Sequence, residues 1–534
     1  MDARSGFAAN SARSDGEACA CVTPQLNAMD TQPSLILITV DCLRADHVGF
    51  LGYSQHTTPF LDQLAQKSLV FESAIVAGTP TYYSFPVMMA SRSPLALGRD
   101  VIGLAPEEPT LALALKQAGY LTGAFIAGNP YLSRHFGYHR GFDLFHDFLE
   151  AEASVESSVV ETLHDVENGK VPFQRRINHA FETIAKRWNP TRALYNELYF
   201  HYCHWINTRR LPCRMDSLRK YPDADAIVKH ALTWLQDVGH QPFLLWLHLM
   251  DPHHPYYPPE EALTAMERGD ISAHQALYLN SMWNRGDVTP RRLARYQREV
   301  VTLYDAGIRW ADIQIARLVS ILKQQGLWDQ VVLAVTSDHG EEFLEHGGRY
   351  HWPFKLVEEI IRVPLLIHVP HQKTYSRVRG PFSMLHLAPT LLDTLGVPVP
   401  DEFQGHSLWS ALQAGQTLNE PVLTECVYGC TNPWQRDARV GPRLLAVRDA
   451  RYKLLLDFAN RLEYLFDLEV DPGEHNPLSD SEQRPVRGRL LEHAYEHLRR
   501  FKEQRDVRNR LRARLADIRH QLTQSTKPSS DAVS

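Results

Sequence analysis

Leu35-Ile-Leu-Ile-Thr-Val40, closed by Asp41, is the stretch from which the fold follows. An unbroken β-favouring run without polar alternation reads as a strand buried on both faces, the signature of a parallel sheet. The carboxyl ends of such strands are where α/β sheets present ligand-binding groups, and Asp41 stands at one. Working outward, Thr58-Pro-Phe-Leu-Asp-Gln-Leu-Ala-Gln-Lys67 has helical spacing, with Thr58 as N-cap and Pro59 at the first helical position. Leu69–Ile75 returns to strand, Tyr83–Met89 opens a buried helix, Leu111–Ala118 is a helix closed by Gly119, and Leu121–Ala127 is the next strand. Pro242–Met250, Val331–Ser337 and Val363–Val369 extend the series, with Arg292–Gln324 as a long amphipathic helix and Leu385–Leu395 as another. Strands alternating with helices predict an α/β fold, a mostly parallel central sheet covered by helices on both faces.

A chain of 534 residues exceeds the ~250–300 at which single cores stop growing, so a second unit is expected. The division reads as a disordered tail over 1–32, an α/β domain over 33–415, a C-terminal subdomain over 416–522 and a tail over 523–534. Within the large domain, residues from about 150 to 240 are charged, aromatic-rich and helical, as at Ile177–Trp188 and Ala226–Val238, and are expected to wall the site. The subdomain carries strand pairs at Leu444–Arg448, Tyr452–Leu456 and Tyr464–Leu468, then a charged helix from Ser481 to about His520. A small antiparallel sheet with a helix is the expected α+β arrangement.

The net charge of −6 gives no reason to expect a nucleic-acid partner. No apolar run approaches the ~20 residues of a membrane span, so no transmembrane segment is expected. The start lacks the basic and apolar stretches of a secretory signal, which predicts a cytoplasmic protein, and Met29 is an alternative start. The seven cysteines, including Cys19-x-Cys21 and Cys426-x-x-x-Cys430, have no zinc-site spacing and read as free thiols. The helical insertion and the basic residues from Arg499-Arg500 to Arg514 are candidate faces for a homo-oligomer or a membrane surface, although mixed charge makes a solvated helix the default.

Two strands end in metal-ligand types: Val40-Asp41-Cys42-Leu43-Arg44-Ala45-Asp46, and Thr336-Ser337-Asp338-His339-Gly340-Glu341-Glu342-Phe343. Carboxylates and an imidazole at one sheet edge suit a divalent cation. The run Leu35–Gly52 resembles the opening of the sulfatase-like family of the alkaline phosphatase superfamily, and Ser337–Gly347 resembles its second metal motif. Glu358-Glu359-Ile-Ile-Arg-Val-Pro364-Leu365, Leu387-Ala-Pro-Thr-Leu-Leu392 and Leu465-Phe-Asp-Leu-Glu-x-Asp471-Pro-Gly-Glu474 are similar to later landmarks, in family order across about residues 33–480. The resemblance implies an alkaline-phosphatase-like fold and one divalent metal held by Asp41, Asp338, His339 and Thr81. Calcium, manganese or zinc would serve, and the histidine ligand favours manganese or zinc. Cys42 stands where many sulfatases have a second metal-binding Asp. Arg44 and Asp46 read either as partners that orient Asp41 or as a surface ion pair.

The nucleophile region departs from the family pattern. Sulfatases open a Cys/Ser-x-Pro-Ser-Arg stretch with a residue oxidised to formylglycine; here Phe71 and Ala74 upstream and Ala90-Ser91 downstream put Thr81 in that slot and Phe85 in place of the Arg. A threonine cannot become formylglycine, so this register implies a threonine ester intermediate. The rival register, through Ser84-x-Pro86, makes Ser84 the nucleophile, and both residues also read as helix caps. Where the family has Lys-Trp-His, this chain has Ala127-Gly128-Asn129, so Asn129 replaces a cation with a hydrogen-bonding group. In His248-Leu-Met-Asp251-Pro-His253-His254, the resemblance implies that His253 protonates the leaving oxygen, with His248 and His254 structural or substrate-facing. His351 or Lys355 would contact the ester oxygens. The function implied is a hydrolase or phosphotransferase (a phosphodiesterase among the alternatives) for an anionic ester, phosphoester favoured. The competing readings are a sulfatase working without formylglycine and a degenerate anion-binding protein that does no chemistry.

Overall fold

The computed structural model describes residues 32–97, 102–149, 189–210, 214–267, 271–351, 355–372, 376–427, 443–479 and 481–500. The tails at 1–31 and 523–534 and the helix expected at Ile177–Trp188 lie outside the described residues. Eight strands form the central sheet: β1 Ser34–Val40, β2 Leu69–Ile75, β3 Leu121–Ile126, β4 Leu144–His146, β5 Phe243–Leu249, β6 Val331–Thr336, β9 Arg362–His368 and β10 Arg377–Ser383, in spatial order β10-β2-β9-β6-β1-β5-β3-β4. The ribbon β7 Glu342–Phe343 with β8 Arg349–Tyr350 lies outside it. Only β9 runs against the rest, antiparallel to both β2 and β6. β1 is central, its Leu35 level with Leu244 of β5 and with Val332 of β6. All seven β1 residues are buried, as the unbroken apolar run requires.

Helices cover both faces. On one side lie α1 Pro59–Ala65, α5 Ala224–Val238 and the long α7 Gln297–Gln324, which bury Leu61, Ile227, Leu235, Leu303 and Ile315 against Ile36, Ile38, Leu245 and Leu333. The other face takes α2 Thr81–Ala90, α3 Leu111–Gln117 and α8 Leu387–Thr394, packed through Phe85, Leu115 and Leu391 onto Leu35, Leu37 and Trp246. Of the expected inserted region, α4 Asn189–Arg210 packs Phe200 against Tyr278 and pairs Glu197 with Arg285 and Arg292, whereas α5 packs on the sheet through Val228 and Trp234 and so belongs to the α/β layers. The long helix begins at Gln297 rather than Arg292, because α6 Pro290–Leu293 forms its own short turn of helix. Thr58 precedes α1 without capping it; the Asp312 carboxylate on α7 accepts from the amides of Phe60 and Leu61 at 3.0 and 2.9 Å.

Beyond β10 the chain builds an antiparallel sheet, β11 Val422–Val427, β12 Arg443–Arg448, β13 Tyr452–Asp457 and β14 Leu462–Asp467. A helix over 484–500 lays Leu490 and Ala494 on Leu445, Val447, Leu454 and Leu465. This sheet touches the segment leading to α2: the Glu425 amide donates to Ala77 O at 3.0 Å and the Thr424 hydroxyl to Val76 O at 2.6 Å. Lys453, fully buried on β13, ties the small sheet to the large one through Glu474 at 2.5 Å and Glu358 at 3.4 Å.

Candidate functional site

The parallel strands bring five chain segments to one edge of the sheet. Asp41 follows β1, Thr81 starts α2 beyond β2, Asn129 follows β3, His253 lies just past β5, and Asp338-His339 follow β6. Asp41, Asp338 and His339 are wholly buried, and Thr81 nearly so. The Thr81 hydroxyl is 3.1 Å from His339 Nε2; that nitrogen is 3.5 Å from Asp338 Oδ2 and 3.9 Å from Asp41 Oδ1. The opposite ring nitrogen, Nδ1, pairs with the Gly340 carbonyl at 2.9 Å, which leaves Nε2 facing the cluster with its lone pair. The loop is braced by Ser337, whose hydroxyl accepts from the Leu43 amide and donates to His339 O.

Both oxygens of Asp338 are buried without a hydrogen-bond partner. A bare buried carboxylate is costly, and a second one beside it makes matters worse. Burial, with Asp41 adding to it, raises Asp338 above the ordinary carboxylate range. Burial pushes Asp41 the same way, but His253, His248 and His339 outweigh it and hold Asp41 well below its usual value. An oxygen-rich cluster with one imidazole and an orphaned carboxylate suits a divalent cation, and Asp41, Cys42 and His339 each bring one donor atom within 4.8 Å of one another.

Asn129 and His248 hold Asp41 in place. The Asn129 amide donates to Asp41 Oδ2 at 3.0 Å, its own oxygen accepts from the Tyr131 amide, and His248 Nε2 is 3.3 Å from the same carboxylate oxygen. His248 is fixed from behind by the Thr39 hydroxyl at 2.9 Å. His253 and His351 line the same site: their ring centroids are 5.3 Å apart, and His351 stands 4.4 Å from the ring of His339. Burial drives His253 down to about 4 against the pull of Asp41, and burial with His339 takes His351 to about 3. Both rings are neutral in the free protein at neutral pH.

Other expected residues sit elsewhere. The Ser84 hydroxyl is fully buried inside α2 with no partner, and Phe85 packs edge-on against His248 at 5.2 Å. Lys355 gives its ammonium to Glu342 at 2.6 Å and to the His346 carbonyl. Arg44 does not touch Asp41; it is buried, pairs with Asp46 at 2.7 Å and Glu345 at 2.6 Å, and donates to Glu341 O, so it straps the β1 loop to the β6 loop.

Two contributors lacked a role at the level of sequence. Glu341 is wholly buried, accepts from Tyr256 at 3.1 Å, and lies 3.3 Å from His351 Nδ1; burial raises it to about 7. Its signal was the Glu341-Glu342 pair inside the second motif, of which Glu342 turns instead to Lys355. Tyr221, ahead of α5, stands edge-on to His253 at 5.4 Å, and no pattern around it in the sequence pointed there.

Comparison with known proteins agrees with this arrangement. The family described as Sulfatase matches residues 33–397, and one described as N-sulphoglucosamine sulphohydrolase, C-terminal, matches residues 347–504. An arylsulfatase of Clostridium perfringens (strain 13 / Type A) is 24% identical over 489 residues, covering 85% of this chain and 91% of that protein. Arylsulfatase K of Bos taurus is 25% identical over 276 residues, 46% of this chain and 49% of that protein, so the chain spans about half the length of that relative. Among solved structures, the phosphonate monoester hydrolase of Silicibacter pomeroyi superposes with a TM-score of 0.63 at 20% identity, over 88% of this chain and 96% of that one, which shows a shared fold. A family match that runs from β1 past β10 and takes in every strand end of the site leaves one assignment: this chain belongs to the sulfatase family.

Proposed function

We propose that the chain is a metal-dependent ester hydrolase or transferase that passes an anionic ester, a phosphoester in preference to a sulfate ester, through a covalent intermediate on Thr81. The observation that carries this reading is the position of the Thr81 hydroxyl, at the start of a helix and 3.1 Å from His339, while Ser84 is sealed in the packed helix interior. Threonine offers no route to the aldehyde of formylglycine, so its hydroxyl is itself the nucleophile. Asp41, Asp338 and His339 would hold a divalent cation, manganese or zinc before calcium, which when bound favours the ionised hydroxyl and offsets charge on the ester.

Thr81 Oγ1, having lost its proton to solvent, attacks the phosphorus or sulfur, the bond to the leaving oxygen breaks, and His253 hands that oxygen a proton. Burial keeps His253 neutral in the free protein; an anionic ester beside it raises its proton affinity, so the acid is armed by its substrate. His351, whose ring lies 4.4 Å from that of His339, would contact the ester oxygens. Asn129 and His248 act through Asp41 as positioning residues. Water or an acceptor alcohol then releases the group from Thr81. The segment ahead of α5 supplies Tyr221 as part of the cleft wall, consistent with specificity residing in the inserted region.

A sulfate ester is the second reading, favoured by the family match and by the arylsulfatase relatives. Phe85 and Asn129, in place of a family Arg and Lys, weigh against it. The test is a hydrolysis panel on manganese-loaded protein: bis-aryl phosphate, aryl phosphate, aryl phosphonate and aryl sulfate, with Thr81→Ala and Ser84→Ala. Turnover of a phosphorus ester that Thr81→Ala abolishes and Ser84→Ala spares is expected. Aryl sulfate turnover dependent on Ser84 would overturn both the register and the substrate class.

A further inference from the structure

Cys42 follows Asp41 with φ of +61°, a left-handed conformation uncommon outside glycine and of the kind that gathers at functional sites. The residue is wholly buried, with Sγ 3.0 Å from Asp41 Oδ1 and 3.4 Å from His351 Nδ1. Cys42, His253 and His351 each bring one donor atom to a spot where all three lie within 4.8 Å of one another. His254, Glu341 and His351 form a second such trio that shares His351. The His253 Nδ1 is engaged by the His254 carbonyl at 2.5 Å, so Nε2 is the nitrogen His253 has to offer.

We propose that Cys42, His253 and His351 form a second metal site, selective for a thiophilic divalent cation of the zinc type, whose occupation switches the enzyme off. A tetrahedral zinc ion with S and N bonds of about 2.3 and 2.0–2.1 Å sets its donors roughly 3.3–3.6 Å apart. The Cys42–His351 separation of 3.4 Å already meets that spacing. The charges agree as well. Asp41, Asp338 and Glu341 are three wholly buried carboxylates, and when all three are ionised one dication leaves a negative charge uncompensated. Burial and these carboxylates hold the Cys42 thiol well above its ordinary value, so the thiolate forms only as a second dication displaces its proton to solvent, which brings the ionised cluster to neutrality.

The donor sets also sort the metals: the Asp41/Asp338/His339 cluster is mostly oxygen and accepts manganese, whereas a Cys/His/His trio selects softer ions. The inhibitory consequence rests on the proposed roles of His253 and His351. With Nδ1 held by a backbone carbonyl and Nε2 on zinc, His253 has no proton to give a leaving group.

The test uses the full chain loaded with manganese and titrated with zinc or cobalt, beside Cys42→Ser and Cys42→Ala. Wild type is expected to bind one further equivalent, and with cobalt to show a near-ultraviolet thiolate-to-metal absorption band that both variants lose. Losing a group that only orients a ligand costs about 10–100-fold in metal affinity, so loss of a direct ligand should weaken the second equivalent by at least about a hundredfold. Ester hydrolysis should fall in step with that equivalent in wild type and resist zinc in the variants. Circular dichroism of each variant checks that it is folded. A further equivalent unaffected by either substitution, or a cobalt complex without the thiolate band, overturns the proposal. A Cys42-dependent equivalent in a protein inactive on every ester would sustain the metal site and sink the catalytic reading instead.

Discussion

Replacing Lys453 by Met probes how the small sheet is fastened to the large one. The ammonium is wholly buried, 2.5 Å from Glu474 and 3.4 Å from Glu358. Met fills similar volume but leaves Glu474 with the Glu358 amide as its remaining partner, while Glu358 keeps Arg448 at 3.1 Å. Removing one member of a buried ion pair costs about 3–5 kcal/mol, mostly because the other charge is stranded. At 1.4 kcal/mol per decade, amide hydrogens of β12–β14 should exchange roughly two to three and a half orders of magnitude faster, where exchange follows local opening. Hydrogen exchange suits the question better than global melting, since a chain of this size need not unfold in two states.

The loss should also depend on pH. Glu474 already sits above the ordinary glutamate value because of burial, with Lys453 pulling it down. Without Lys453 it rises further, so the variant is favoured below the unfolded value and loses stability as pH rises through the folded one. The defect should therefore be smaller at pH 5 than at pH 8, and Lys453→Met with Glu474→Gln should recover part of it. Exchange less than about tenfold faster, or a defect that grows on acidification, would refute the reasoning.

Three further outcomes follow from the geometry. A Cβ on Gly340 would lie 1.9 Å from the Glu359 carbonyl oxygen, so Gly340→Ala must displace the Asp338-His339 loop; a destabilisation of about 1–3 kcal/mol in denaturant unfolding with loss of manganese binding is expected. Asn129→Ala frees Asp41 to rotate and should weaken manganese about 10–100-fold by equilibrium dialysis with little change in melting temperature. Asp312→Ala removes both amide acceptors at the start of α1 and should cost about 1–2 kcal/mol in denaturant unfolding, with hydrolysis unchanged.

What was legible in the sequence was what burial writes directly. β1, β5 and β6 are apolar on both faces, so their runs stand out, and the ligands at their ends come with them. β10, Arg-Val-Arg-Gly-Pro-Phe-Ser, is an edge strand whose charged and helix-breaking residues carry no such pattern, and it went unread. β11 was missed as well: Thr424 and Glu425 interrupt its apolar run because they serve contacts to Val76, Ala77 and Leu95. In the site, residues supplied by strand ends were found by their neighbours in sequence. Tyr221 was not, since its approach to His253 is fixed by tertiary packing, and Thr58 was credited with a cap that Asp312 delivers from far along the chain.

The position of β1 at the middle of the sheet has a consequence for how the protein is made. Its partners are β5 and β6, so β1 leaves the ribosome well before either strand that completes it. At about 5–20 residues per second, the roughly 300 residues between Val40 and Thr336 take about 15–60 s to emerge. Until β5 has emerged neither edge of this largely apolar strand has its partner, and one edge stays open until β6 follows, the condition in which nascent chains engage holding chaperones or aggregate. Ribosome-stalled chains ending before β6 should stay protease-sensitive over β1, and protection of that strand should arrive together with Asp338 and His339, so that sheet closure and assembly of the candidate site are a single event.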